Sequence, residues 1–222
     1  GKVSFEFFGD SYSLSATKSV SSPGSEFCIS YGPRSNDQLL QYYGFVEPDN
    51  PHDVYIMPPL LEWNIEAMEQ ACGRRIEPGR LEKLQRAGLL GGSQPSSPSS
   101  SENDDTATAN PLGGVVVTRE NGIDPAILQA LRALISTPEE WEGAGEAVGN
   151  FATEWSPENE RMARLAAKTG LEQELQSKPT TLEEDQKQLQ QIGSKLLGPE
   201  EELAIRFRIE KKKLLQETIQ KL

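Results

Sequence analysis

Tyr31, Tyr43 and Phe45, within the information-rich residues 25–48 of this 222-residue chain, are the side chains with the means to do chemistry. A phenol combines an apolar ring with a hydroxyl that donates or accepts, so two or three together can line an apolar channel with polar tips. The same residues also suit a core at a strand-helix junction, and on pattern alone that plainer reading carries more weight.

Other reactive types are sparse. His52 stands alone in a Pro-rich stretch with no second His or Cys at ligand spacing, so a surface loop histidine is expected and no metal site. Cys28 alternates with the Tyr31 face of a strand and Cys72 lies near a helix end; both read as structural, and neither belongs to a CxxC or Cys/His cluster. Glu183-Glu184-Asp185 opens a helix, where capping explains paired carboxylates. Lys211-Lys212-Lys213, flanked by Glu210 and Glu217, reads as a solvated helix face.

The elements that must position these groups change character along the chain. Val3, Phe5 and Phe7, then Tyr12 and Leu14, then Phe27, Ile29 and Tyr31 alternate with polar neighbours around Ser21-Ser22-Pro23-Gly24, which predicts short antiparallel strands. Ser35 with Gln38 forms a capping box for a short helix that Gly44 stops, and residues 46–59 are Pro-rich and looped. Trp63, Ala67 and Met68 share a face of a helix ended by Gly73; Leu81, Leu84 and Leu89 mark another.

Residues 88–113 are mostly Gly, Ser, Pro, Asn and Asp, a composition too poor in apolar groups to offset ordering entropy, and are expected to form a disordered insertion. Beyond it everything reads as helical. Asp124-Pro125, Thr137-Pro138 and Ser156-Pro157 are start signals, and Ile127, Leu128, Leu131, Leu134 and Ile135 form an apolar stripe. Thr181 with Glu184 is a second capping box, ahead of Leu189, Ile192 and Leu196. The last helix follows Gly198-Pro199 with its acids first and lysines later, complementing the helix dipole.

The balance of 34 acidic against 22 basic residues, net −12, argues against gripping a nucleic acid backbone, which needs clustered cations. No apolar run reaches the roughly 18 residues of a membrane span. Acidity concentrates in residues 1–60 (−4), 88–113 (−3) and 114–180 (−5), while 61–87 and 181–222 are neutral.

Phe27-Cys28-Ile29-Ser30-Tyr31-Gly32, Ser35-Asn36, Leu39-Leu40, Tyr43-Gly44-Phe45 and Asn50-Pro51-His52-Asp53 together resemble the C-terminal end of a SET domain of the Rubisco large-subunit lysine methyltransferase type. Leu128 to Arg132, Pro179 to Asp185 and Ile205 to Lys211 are similar to that family's substrate-binding domain. The resemblance implies an α+β chain: residues 1–57 as the end of the SET domain, 58–87 as the start of an all-α substrate-binding bundle, 88–113 as the insertion, and 114–222 as the rest of the bundle.

It further implies methyl transfer from S-adenosylmethionine to a lysine of a protein substrate, the Rubisco large subunit being the namesake. Tyr31 takes the place of the catalytic tyrosine, Tyr43 that of the channel tyrosine, and Phe45 would pack on the cofactor adenine. The family's upstream Asn-His pair is missing, so the chain is expected to be a C-terminal fragment that binds S-adenosylmethionine weakly alone. Alternatives are a histidine-directed relative and a non-catalytic interaction scaffold; a plastid location would follow from a Rubisco substrate, otherwise a cytoplasmic or nuclear one. Glu139, Glu140 and Glu142 are candidate docking charges for a lysine-bearing partner, against the alternative that the bundle only buttresses.

Overall fold

A computed structural model describes residues 2–8, 11–16, 28–90, 114–191 and 198–222, and the chain divides into two compact units, Gly1–Arg34 and Ser35–Leu222. In the first, β1 (Lys2–Phe8), β2 (Ser11–Ala16) and β3 (Cys28–Ile29) form a sheet in the order β2-β1-β3. The antiparallel pair follows the period-two pattern, with Phe5 opposite Leu14 and Phe7 opposite Tyr12. Contrary to the all-antiparallel expectation, β3 runs parallel to β1, with Lys2 opposite Cys28. Residues 17–27 separate β2 from β3, so no two-residue hairpin dictates the strand sense there. The turn at Ser21 to Gly24, Phe27 and the Cys28 side chain lie outside the described residues.

The second unit is mostly helical, and its local start signals perform as read. At α1 (Asn36–Tyr43) the Ser35 N–H donates to the Gln38 side chain at 3.2 Å, the Gln38 N–H donates to the Ser35 hydroxyl at 3.4 Å, and Gly44 closes the helix in the left-handed region at φ 72°. α4 (Pro125–Leu134), α5 (Pro138–Gly143) and α6 (Pro157–Gln176) begin at Asp124, Thr137 and Ser156, whose side chains each accept a first-turn N–H. α7 (Leu182–Gln191) carries the Thr181/Glu184 box, and α8 (Pro199–Lys221) follows Gly198. Ile192, Leu196 and residues 91–113 of the expected insertion lie outside the described residues.

Two expectations fail here. Residues 46–59 are not all loop, and the half beyond the insertion is not all-α: β4 (Val54–Met57) pairs antiparallel with β5 (Val115–Thr118), which pairs with β6 (Gly122–Ile123). Val115-Val116-Val117-Thr118 is a β-branched run suited to a strand. Its partner lies on the far side of residues 58–114, which local pattern cannot reveal. Residues 35–57 lie with the helices in one compact unit, Ser35–Leu222.

Trp63 also lies outside the helix proposed for it. α2 (Ile65–Cys72) starts at Asn64, which accepts the Ala67 N–H at 3.0 Å, and ends at Gly73; Leu89 likewise lies past α3 (Pro78–Arg86). The apolar stripe of α4 is the centre of the core: Ile127, Leu131, Leu134 and Ile135 are buried with Met68, Leu84, Val117, Phe151, Leu171 and Leu214. Each such side chain contributes about 1.5–3 kcal/mol. The carbonyls at the end of α4 are met by cations, Arg74 donating to Ile135 O at 3.1 Å and Arg80 to Leu134 O and Ser136 O.

The Trp63 ring lies flat enough on α6 that a Cβ at Gly170 would sit 2.2 Å from two of its carbons, while its indole N–H donates to Pro58 O at 3.0 Å. Helix propensity alone would make Gly170→Ala stabilising by about 1 kcal/mol. The collision reverses the sign, and the variant is expected to lose about 1–3 kcal/mol in urea denaturation. A raised midpoint would refute the packing.

Candidate functional site

Tyr43 is the last residue of α1, and the left-handed Gly44 turns the chain so that Phe45 comes back beside it. Their ring centroids lie 6.4 Å apart with planes tilted 43°, and Tyr42 meets Tyr43 edge-on at 6.5 Å. Both rings keep substantial exposure, 43% at Tyr43 and 36% at Phe45. A recess of about 420 Å³ opens beside Gly44 against Pro199, Leu203 and Arg206 of α8. A second, also about 420 Å³, continues past Val46 and Pro48 to Leu189 and Ile209, with Arg206 common to both.

The turn is held from below by buried polar groups. Asn36 is fully buried: its side-chain carbonyl accepts the Glu47 N–H at 2.9 Å and its amide donates to Glu47 O at 3.1 Å. Its backbone N–H and side-chain amide each donate to the carboxylate of fully buried Asp53 at 3.0 Å. The Lys211 ammonium completes the cluster, donating to Asp53 at 2.8 Å, to Val54 O at 2.7 Å and to the Asp37 carboxylate. Farther along, the Asp49 N–H donates to Glu210 at 2.7 Å, and Lys213 and Arg119 each bridge Asp49 and Glu210. The hydrogen bond and charge of Lys213 hold the Asp49 carboxyl below its ordinary range.

These contacts overturn the solvated-face reading of the lysine run. Lys211 and Lys212 are buried, and Lys212 donates to Asp185 at 2.5 Å and to the Thr180 hydroxyl at 2.7 Å. Asp185, read as part of a helix cap, is instead fully buried and also takes Arg208 at 2.9 Å and the Thr180 hydroxyl at 2.8 Å. Capping falls to Glu184 alone. The signal was available in the helical spacing. Lys212 follows Ile205 and Ile209 on one stripe, and Lys211 lies with Phe207, Leu214 and Thr218 on another, so both lysines sit where the helix must be covered.

Tyr31 belongs to the first unit. It lies two residues past the end of β3 rather than at a strand tip, is 40% exposed, and precedes Gly32 at φ 78°. Tyr43 and Phe45 are thus brought together in one unit, and Tyr31 is in the other. His52 is exposed in its loop, and Cys72 is buried with its thiol directed at Met162 O at 3.4 Å. Burial pushes the Cys72 thiol up, against a smaller downward pull from Arg74 and Arg161, which suits an inert structural group.

Of the docking charges, Glu139 and Glu142 are exposed, but Glu140 is committed internally. It caps Thr137, pairs with Arg74 at 3.1 Å and accepts from Ser156 and Asn159. Among the described residues no group of three or more His, Cys, Asp or Glu is placed to hold a metal ion. None of the described helices is long and apolar enough to cross a membrane.

Residues 78–215 match the family model described as Rubisco LSMT substrate-binding. The match runs from the first residue of α3 into α8 and includes Lys211 to Lys213, whereas Tyr31, Tyr43 and Phe45 precede it. No curated protein matches the chain.

Proposed function

The chain belongs to the Rubisco LSMT substrate-binding family, and from that premise we propose that it is part of a SET-type protein-lysine methyltransferase using S-adenosylmethionine. The family is one of protein methyltransferases and its domain binds a protein substrate, so a protein acceptor is the coarse conclusion. The finer reading assigns Tyr31 as the catalytic phenol, Tyr43 as a wall of the lysine channel and Phe45 as the adenine-facing ring. One observation carries it: the matched helix α8 is bonded through Lys211 and Glu210 to the very segment that bears Tyr43 and Phe45.

A free lysine is protonated at neutral pH, with a pKa near 10.4, and only the neutral amine has the lone pair that attacks. A half-exposed aromatic wall such as Tyr43 disfavours the ammonium by desolvation once a lysine side chain lies against it. Such a wall also fixes the approach of the amine, and orientation supplies much of the acceleration in transfer reactions. A hydroxyl at Tyr31 would accept a hydrogen bond at the reacting nitrogen or donate one beside it, without being consumed.

The protein as encoded, incubated with methyl-labelled S-adenosylmethionine and a cell extract, is expected to label lysine in one or a few proteins, identified by mass spectrometry. Label confined to histidine would transfer the proposal to the histidine-directed alternative. No label on any protein would leave a binding scaffold.

A further inference from the structure

We propose that Asp53 and Lys211 are positioning residues for the Tyr43–Phe45 turn, so that the last helix of the substrate-binding domain, and not α1 alone, sets where the channel wall stands. The functional half of this inference rests on the methyltransferase reading above. The chain of contacts is continuous. Lys211 Nζ holds Asp53 at 2.8 Å, Asp53 holds both the backbone and the side chain of Asn36 at 3.0 Å, and Asn36 clasps Glu47 through both its N–H and its C=O. Glu47 is two residues from Phe45, and Asn36 opens the helix that ends at Tyr43. One ion pair thereby fixes both ends of the segment carrying the two rings.

Burial makes the arrangement stiff. Asn36 and Asp53 are fully buried, and every polar atom of the Asn36 side chain is engaged, so no alternative partner is at hand if the carboxylate is lost. Lys211 is equally committed, with a second carboxylate from Asp37, a carbonyl at Val54 and the Phe207 ring 4.9 Å away. The neighbouring lysine supplies the contrast. Lys212 is as buried as Lys211, but among the described residues its hydrogen bonds go to α7 and the turn before it, through Asp185, Thr180 and Thr181. Two adjacent lysines therefore divide the work: one joins helix to helix, the other joins helix to site.

The test compares Asp53→Asn with Lys212→Met in the protein as encoded, under conditions where both stay folded by circular dichroism. In Asp53→Asn the Glu47 amide is expected to exchange with solvent about tenfold faster or more. Methyl transfer should fall by about 10²-fold in kcat with little change in KM for the protein substrate, as expected of misplacement by about an ångström. In Lys212→Met the Glu47 amide and kcat should match the wild type despite lowered stability. Should Asp53→Asn not fold, Lys211→Met, which keeps the apolar stem, carries the same comparison. Wild-type exchange at Glu47 in the folded variant overturns the pinning, and faster exchange with wild-type turnover overturns its role in positioning. If the wild type methylates nothing, the methyltransferase reading is lost, and exchange at Glu47 alone decides whether the pin exists.

Discussion

Replacing Asp185 by alanine is expected to lower the unfolding free energy by about 3–5 kcal/mol, the usual effect of breaking a buried ion pair from one side. The carboxylate is fully enclosed between α7 and α8 and takes Lys212, Arg208 and the Thr180 hydroxyl. Without it the Lys212 ammonium, whose side chain is 5% exposed, keeps, among the described residues, the Thr180 hydroxyl and the Thr181 carbonyl. Arg208 matters less, since its side chain is 38% exposed and can turn toward water. Urea denaturation measures the loss, and a change within about 0.5 kcal/mol would sink the argument. Removing both charges together, Asp185→Leu with Lys212→Met, should lose much less, because the cost lies in the stranded ion rather than in the missing attraction.

The same residue predicts a pH dependence. Burial pushes the Asp185 carboxyl up, but the hydrogen bonds from Arg208, Lys212 and Thr180 outweigh it, and the group sits below its ordinary value. Its unfolded counterpart takes up a proton first as pH falls, near 3.9. The stabilisation is therefore complete at neutral pH and is lost on acidification from about pH 4 downward, through the depressed folded value. Asp185→Ala should show a flatter acid limb than the wild type.

Tyr31→Phe in the protein as encoded is expected to cut methyl transfer by about 10²-fold or more, the range for a hydrogen-bonding or proton-handling group at a reacting centre. With Tyr31 40% exposed, removal of one hydroxyl should leave the unfolding free energy within about 0.5 kcal/mol of the wild type. The separation of the two readouts is the point: a turnover defect without a stability defect places the phenol at the chemistry. Near-normal turnover would remove Tyr31 from the proposed mechanism.

Local chemistry was legible in the sequence wherever the partners are close along the chain. Ser35 with Gln38, Thr181 with Glu184 and Asp124-Pro125 each announce a helix start because the bonds that form it lie within four residues. The Tyr43-Gly44-Phe45 turn was legible for the same reason. The pairing of β4 with β5 was not, since the strands flank residues 58–114, and neither was the burial of Lys211, whose carboxylate at Asp53 is separated by most of the chain. A charged triplet looks solvent-facing until its counterions are known. Here the apolar stripe through Ile205 and Ile209 was the better guide to what Lys212 must do.

The β4–β5 ladder has a consequence for how the chain tolerates change in length. Leu90 O accepts the Leu60 N–H at 2.8 Å, and Val115 faces Met57 across the ladder, so the residues on either side of 91–113 are tethered within a few positions of one another on the same strand and turn. Joining two fixed, neighbouring points by a chain of twice the length costs only about 0.6 kcal/mol more in closure entropy. The Met57–Val115 pairing and the Leu60–Leu90 bond thus already hold Leu90 and Gly114 in place, so a change in the number of residues joining them is expected to alter the closure entropy by little.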